Sequence, residues 1–161
     1  MINKLIADSS PLIVLIKSSL EYILPELFEE VFVPEQVWEE ILAGKPNDAA
    51  RRKFPLLFWA KRTMVENSNE IIGSYNLGRG ETAVLNLALT IPESRVLLDD
   101  FAARKSAKTL NIPFLGTGGL LLFAKRNDVI TSVTEALEKV QDSGLWLSAE
   151  IIELIKEKAG E

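Results

Sequence analysis

Val96-Leu97-Leu98-Asp99-Asp100 is a short apolar run that ends abruptly in two adjacent acids. Its length and composition read as a buried strand. Carboxylates this close raise each other's pKa or recruit a cation. The same event occurs earlier, where Leu5-Ile6-Ala7 ends in Asp8-Ser9-Ser10. Two buried strands that each end in acid predict one electronegative pocket.

Around these strands the chain alternates between strand and helix signals. Residues 3–8 read as the first strand. Asp8-Ser9-Ser10-Pro11 reads as a helix start, with a serine cap and proline at the first helical position. A second helix is expected over residues 20–27 and a strand over 31–33. Pro34 then opens a helix over 35–43, which Gly44 ends. Asp48 is placed to cap a short helix carrying Arg51, Arg52 and Lys53, and an edge strand falls within 62–72. Leu77-Gly78-Arg79-Gly80 reads as a turn into a helix over 81–90, whose apolar positions recur at helical spacing. After the strand at 96–98 come a helix over 101–110 and a strand over 112–115. Gly116-Thr117-Gly118-Gly119 reads as a tight turn into a helix over 120–126. Helices over 131–143 and 148–158 close the chain. This alternation predicts an α/β fold with a mainly parallel central sheet.

The bulk composition narrows the chemistry. At 161 residues, 47% of them hydrophobic, one domain spanning 1–161 is the simplest organisation. No apolar run is long enough to cross a bilayer, and Asp8 interrupts the N-terminal one, so neither membrane segment nor signal peptide is expected. The expected location is cytoplasmic. Zero cysteines exclude disulfides and thiolate zinc sites. Zero histidines exclude histidine-dependent triads and the commonest general base near neutral pH. Catalysis then falls to carboxylates, lysines, hydroxyls or a hard, oxygen-liganded metal. A net charge of −5 argues against binding nucleic acid through overall charge, although local basic patches remain open.

In parallel α/β folds, sites form where strands end and helices begin. Asp8, Glu40, Glu81 and the pair Asp99-Asp100 fall there or on a nearby helix. Such a set suits Mg2+ or Mn2+, which prefer oxygen ligands. Each acid also has an ordinary reading. Asp8 is a good helix cap, Glu40 sits among other helix glutamates, and Glu81 complements a helix dipole. One of Asp99 and Asp100 caps the helix behind it, and which one faces a metal stays open. Glu21, Glu26, Glu29, Glu30 and the C-terminal glutamates read as solvated charges.

Taken in order, these stretches resemble the PIN-domain family. They are Asp8-Ser9-Ser10-Pro11-Leu12, residues 33–41 (VPEQVWEEI), Leu77-Gly78-Arg79-Gly80-Glu81-Thr82-Ala83, and Leu98-Asp99-Asp100 with Ala103-Arg104. Gly116-Thr117-Gly118-Gly119-Leu120 and residues 143–148 (SGLWLS) are similar to a prokaryotic branch related to VapC toxins. The resemblance covers nearly the whole chain. It implies a Rossmann-like three-layer α/β/α fold and a metal-dependent ribonuclease, a VapC-like toxin. Asp8, Glu40 and Glu81 match the family's first three acids, and Asp99 or Asp100 the last. Ser9 or Ser10 would hold a metal-bound water or an Asp8 oxygen. The resemblance also implies an antitoxin partner and a homodimer, with Leu56-Leu57-Phe58-Trp59 as a candidate packing surface. In one departure, Gly118 stands where that branch has a larger apolar residue, which predicts a looser, more open loop.

An acidic protein must still hold RNA. Arg79, Arg104 and Thr117 join Ser9 and Ser10 as candidate substrate contacts. Lys105 and Lys108 follow on the same helix as Arg104, and they read as solvated charges. Trp38, Trp59 and Trp146 are assigned to the core or an interface rather than to base stacking. Two other functions compete. Phosphoryl transfer to an aspartate needs a second acid two residues on or a well-placed lysine, and Asp8-Ser9-Ser10 offers no acid at that spacing. A PIN-fold module that binds nucleic acid or protein without turnover is the non-enzymatic alternative.

Overall fold

The computed structural model describes residues 3–161, so the first two positions of the expected domain lie outside the described residues. Five strands form one sheet: β1 (Lys4–Ala7), β2 (Glu30–Pro34), β3 (Ala60–Thr63), β4 (Ser94–Leu97) and β5 (Phe114–Leu115). Their order is β3-β2-β1-β4-β5 and every pairing is parallel. Each parallel step needs a crossover, and the helices supply it. Leu5 and Ile6 point to opposite faces of β1 and both are 0% exposed. Helices therefore cover both faces of the sheet, which gives the three-layer α/β/α arrangement. No helix of the described residues is long and apolar enough to cross a membrane.

The chain leaves β1 toward β2 on one side and later returns to β4 on the other. That makes the gap between the carboxyl ends of β1 and β4 a topological switch point, the usual place for a site in such sheets. Register brings the two ends level, since Ala7 pairs with Leu97 and the Asp8 N–H donates to the Leu97 carbonyl at 3.2 Å. Asp8 and the acids after β4 are neighbours because of this pairing.

Ten α-helices are described. They are α1 (Ser9–Lys17), α2 (Ile23–Leu27), α3 (Glu35–Leu42), α4 (Ala49–Lys53), α5 (Glu70–Ser74), α6 (Arg79–Ala88), α7 (Phe101–Thr109), α8 (Thr117–Arg126), α9 (Val133–Asp142) and α10 (Ala149–Lys158). Asp48 caps α4 as expected, accepting from the Ala50 and Arg51 N–H groups, and Ser148 caps α10. The short helix α5 is absent from the sequence reading; Asn69 caps it. Three starts differ in ways that matter. The cap position of α1 is Asp8, which places Pro11 third in the helix. Proline is harmless there because the first four N–H groups of a helix have no intrahelical partner. Likewise α6 begins at Arg79 and α8 at Thr117, each inside what reads as a glycine turn.

Several side chains also differ from expectation. Glu21 is buried, not solvated, because α4 brings Lys53 against it as an ion pair. Glu161 accepts from the Val133 and Thr134 N–H groups at 2.7 and 3.1 Å, closing the start of α9. Arg51 donates to the Leu42 carbonyl, so most of the basic run 51–53 has a structural job. Trp38 is buried against Phe54, in line with a core assignment, whereas Trp146 is 82% exposed, which leaves it the interface assignment alone.

Candidate active site

Asp8 sits at the end of β1 with 3% of its surface exposed. It occupies the cap position of α1 without using its side chain as a cap, which leaves the carboxyl for other work. Burial pushes its pKa up to about 7. The negative charges of Glu81, Glu40 and Asp99 add to that rise, and the neighbouring Ser9 N–H opposes it. Asp8 thus senses three acids that come from three other parts of the chain. None of them forms an ion pair with a described lysine or arginine.

Each of the other three is held by a donor of the protein. Glu40, on α3, accepts from the Ser9 hydroxyl at 2.6 Å, tying α3 to the end of β1. Its approach depends on Gly80. A Cβ on Gly80 would stand 2.6 Å from Glu40 Oε1 and 3.0 Å from Oε2, closer than atoms can pack. Glu81, the third residue of α6, accepts from the Gly78 N–H at 2.8 Å and so closes its own helix. Asp99 accepts twice from Thr117, from the N–H at 2.7 Å and the hydroxyl at 2.6 Å.

Geometry separates the acid pair. Asp100 Oδ2 accepts from the Ala103 N–H at 2.9 Å and caps α7, while Asp99 turns toward Asp8. The sequence could not choose because either residue can precede the helix. The choice is made by α8, whose first residue offers two donors to Asp99 alone.

The candidate substrate contacts are placed as follows. Ser9 is buried on Glu40, and Ser10 is exposed. Arg79 pairs with Glu39 at 2.5 Å. Thr117 is 0% exposed and holds Asp99. Arg104 lies beside Gly116, where an added Cβ would meet its Nη1 at 3.2 Å and Asp99 Oδ1 at 3.3 Å. Gly118 is a correction: it lies in the first turn of α8, not in an open loop. A Cβ there would stand 2.7 Å from Ile155 Cδ1, so α10 fills the volume that a larger residue would take. Gly80 and Thr117 as supports of Glu40 and Asp99 are invisible to the sequence reading; only their contacts reveal them.

Thr117→Val keeps the shape and deletes the hydroxyl donor. It is expected to cost about 1 kcal/mol of stability, since the Thr117 N–H still holds the other Asp99 oxygen. Chemical denaturation measures this, and an unchanged midpoint would show that solvent replaces the bond without loss.

The donor set is all oxygen, buried at one end and without a balancing side-chain cation, which fits a hard divalent ion by its chemistry. As the side chains stand, no group of three or more acids among the described residues is arranged to hold a metal. Glu40 and Glu81 each have one oxygen engaged, on the Ser9 hydroxyl and the Gly78 N–H, and Asp99 has both on Thr117.

The model of a family described as a PIN domain matches residues 4–161. The chain belongs to the PIN-domain family. No curated protein is similar enough to count as a match. PIN domains are generally nucleases and usually use divalent metal ions. In this PIN domain Glu40, Glu81 and Asp99 lie near enough to the buried Asp8 at the switch point for their charge to act on it.

Proposed function

We propose that this PIN domain is a metal-dependent ribonuclease that hydrolyses RNA phosphodiesters at the acid cluster, in the manner of a VapC-like toxin, with Mg2+ or Mn2+ as its cofactor. The observation that carries the reading is Asp8: a carboxyl 3% exposed at the end of β1, not used as a helix cap, with Glu40 tied beside it through Ser9 and its pKa pushed up by burial and by the charges of Glu81, Glu40 and Asp99. A structural cap or a surface charge gains nothing from such company. Asp8, Glu40, Glu81 and Asp99 are the residues that would hold a divalent cation, whose chemistry there would be to offset charge on the phosphoryl oxygens and to make a water more acidic.

The residues divide the remaining work. In hydrolysis a water oxygen bonds to phosphorus, the bond to the leaving ribose oxygen breaks, and one proton moves from the water to that oxygen. Glu81 uses one oxygen on the Gly78 N–H, and we assign its other oxygen to this proton. Ser9 and Thr117 hold Glu40 and Asp99 in place. Asp100 stays with its helix. Arg104, with Ser10 and Arg79 farther out, contacts the substrate.

Cleavage of a panel of single-stranded and structured RNAs in Mg2+ or Mn2+ tests the reading. Asp8→Asn and Glu81→Gln are each expected to lower the rate roughly a hundredfold or more, with the fold intact by circular dichroism. Full activity in both variants overturns it. A second reading is a PIN module that binds without turnover; Asp99, with both oxygens accepting from Thr117, is the observation on its side. It predicts no cleavage in any RNA and no heat of Mn2+ binding.

The proposal extends to partners. It includes a homodimer, a protein antitoxin that covers the acids, and a cytoplasmic location. Leu56 is 79% and Phe58 95% exposed, a large apolar surface beside the edge strand β3, which suits contact with a second copy. Phe58→Glu is therefore expected to shift the protein to a monomer by light scattering. A mass that stays dimeric places the contact elsewhere.

A further inference from the structure

The last helix, α10, is thinly attached to the rest of the molecule. It carries Ile151, Ile152, Leu154 and Ile155, yet of these only Ile155 is buried. Ile151 and Leu154 are 43% and 45% exposed. On α8 the helix bears on one spot, where Ile155 fills the slot left by the missing Cβ of Gly118. A cavity of about 530 Å³ opens beside that contact, lined by Gly118 and Gly119 of α8 and by Ser148 and Ile151 of the α10 segment. Little apolar area therefore holds α10 down, and elements with few buried contacts open at the low-stability end of a fold.

Its far end is held by other means. After Lys158 the backbone turns through Gly160 at φ +76°, a left-handed conformation that glycine adopts without strain. The Glu161 N–H donates to the Lys156 carbonyl at 2.9 Å and the Gly160 N–H to the Glu157 carbonyl at 3.1 Å. These are the paired bonds of a helix end closed by a left-handed residue. The turn carries Glu161 back to the start of α9. There its carboxylate accepts from the Val133 and Thr134 N–H groups and from the Ser132 hydroxyl, with the Lys125 ammonium at 3.4 Å. Lys125 belongs to the last turn of α8 and also donates to the Thr131 carbonyl. One side chain thus ties α10 to both α8 and α9, through charged and directional bonds where apolar contact is sparse.

We propose that α10 is a separately opening flap, latched by Glu161, and that its opening loosens the Thr117 that holds Asp99. Thr117 is fully buried and gives Asp99 both of its donors, and Ile155 is seated on the very next residue, Gly118. When α10 lifts, the first turn of α8 loses that neighbour and the Thr117 N–H becomes free to exchange with solvent. Ile155 and Glu161 are positioning residues in this scheme, acting on Asp99 through α8. Only the consequence for catalysis rests on the nuclease reading; the flap itself does not. A helix that was simply part of the core would open only when the whole protein unfolds.

Amide hydrogen exchange of the full chain, read residue by residue by NMR in EDTA at fixed pH, separates the flap from catalysis. In the wild type the hydrogen-bonded amides of α10 are expected to exchange together, on the order of a hundredfold faster than those of β1 and β4. Glu161→Ala speeds α10 by a further factor on the order of ten, and the Thr117 N–H with it, while β1 and β4 stay as they were. Glu161→Gln keeps one acceptor oxygen and falls between the two. Gly160→Ala strains the turn but leaves the carboxylate in place, and it shifts exchange in the same direction. Wild-type α10 amides that exchange no faster than β1 and β4 overturn the flap. Unchanged α10 exchange in Glu161→Ala overturns the latch, and a Thr117 N–H that does not respond overturns the link to Asp99. Accelerated exchange at α10 and Thr117, beside a wild type that cleaves no RNA in Mg2+ or Mn2+, supports the flap while overturning the nuclease.

Discussion

Asp8→Asn is expected to stabilise the metal-free protein above pH 7 even as it abolishes the response to divalent metal. The Asp8 carboxyl has an ordinary value of 3.8 and a folded value of about 7. Between those values the folded state holds a proton that the unfolded state has released. Stability therefore falls as pH rises from about 4 to about 7, and the full penalty is present above that. Roughly three pKa units correspond to about 4 kcal/mol at most. Asparagine carries no charge and escapes this penalty, but its amide must find partners in a buried place. A net gain on the order of 2 kcal/mol at pH 8 is the expected balance. Urea denaturation in EDTA at pH 5 and pH 8 measures it. Wild type should lose stability between the two and the variant should not. The carboxylates held low, such as Glu161 at about 2, act in the opposite sense and only below pH 5, outside this window. A wild type equally stable at both pH values would show that Asp8 ionises freely, and the acid cluster would then lack its defining property.

Gly80→Ala is expected to cut metal-dependent cleavage at least tenfold at little cost to the fold. Alanine normally strengthens a helix by up to about 1 kcal/mol relative to glycine. Here its methyl would meet both oxygens of Glu40, within 2.6 and 3.0 Å, and drive the carboxylate off the Ser9 hydroxyl. Glu40 is exposed and flexible, so it can move away cheaply, and the damage falls on the site rather than on the core. A tenfold loss corresponds to about 1.4 kcal/mol of transition-state stabilisation. Single-turnover rates beside denaturation midpoints read the two effects separately. A variant with the wild-type rate would remove Glu40 from the catalytic set.

These two variants act on residues of very different visibility. Asp8 stands out in the chain because an apolar strand that stops at an acid is rare without a reason. Gly80 reads as an ordinary turn glycine, and its importance comes from a glutamate forty positions earlier that no local pattern links to it. Exposed Trp146 is a similar case. Tryptophan is assigned inward by default, and only the path of the chain between α9 and α10 reveals that this one faces solvent.

Local patterning by itself determined the strand–helix alternation, the parallel class of sheet and the acids that stand at strand ends or helix starts. Those properties follow from hydrophobic period and from caps, which neighbouring residues set. It also excluded histidine and cysteine chemistry outright. Strand order and register are long-range, and they alone put Asp8 beside the end of β4. Whether Asp99 or Asp100 joined the site was decided by α8, through two hydrogen bonds from Thr117 to Asp99. Exposure was decided the same way. Phe101 at the start of α7, Phe114 on the edge strand β5 and Trp146 between α9 and α10 are left partly or largely in solvent, because burial is set by tertiary neighbours that residue type does not fix.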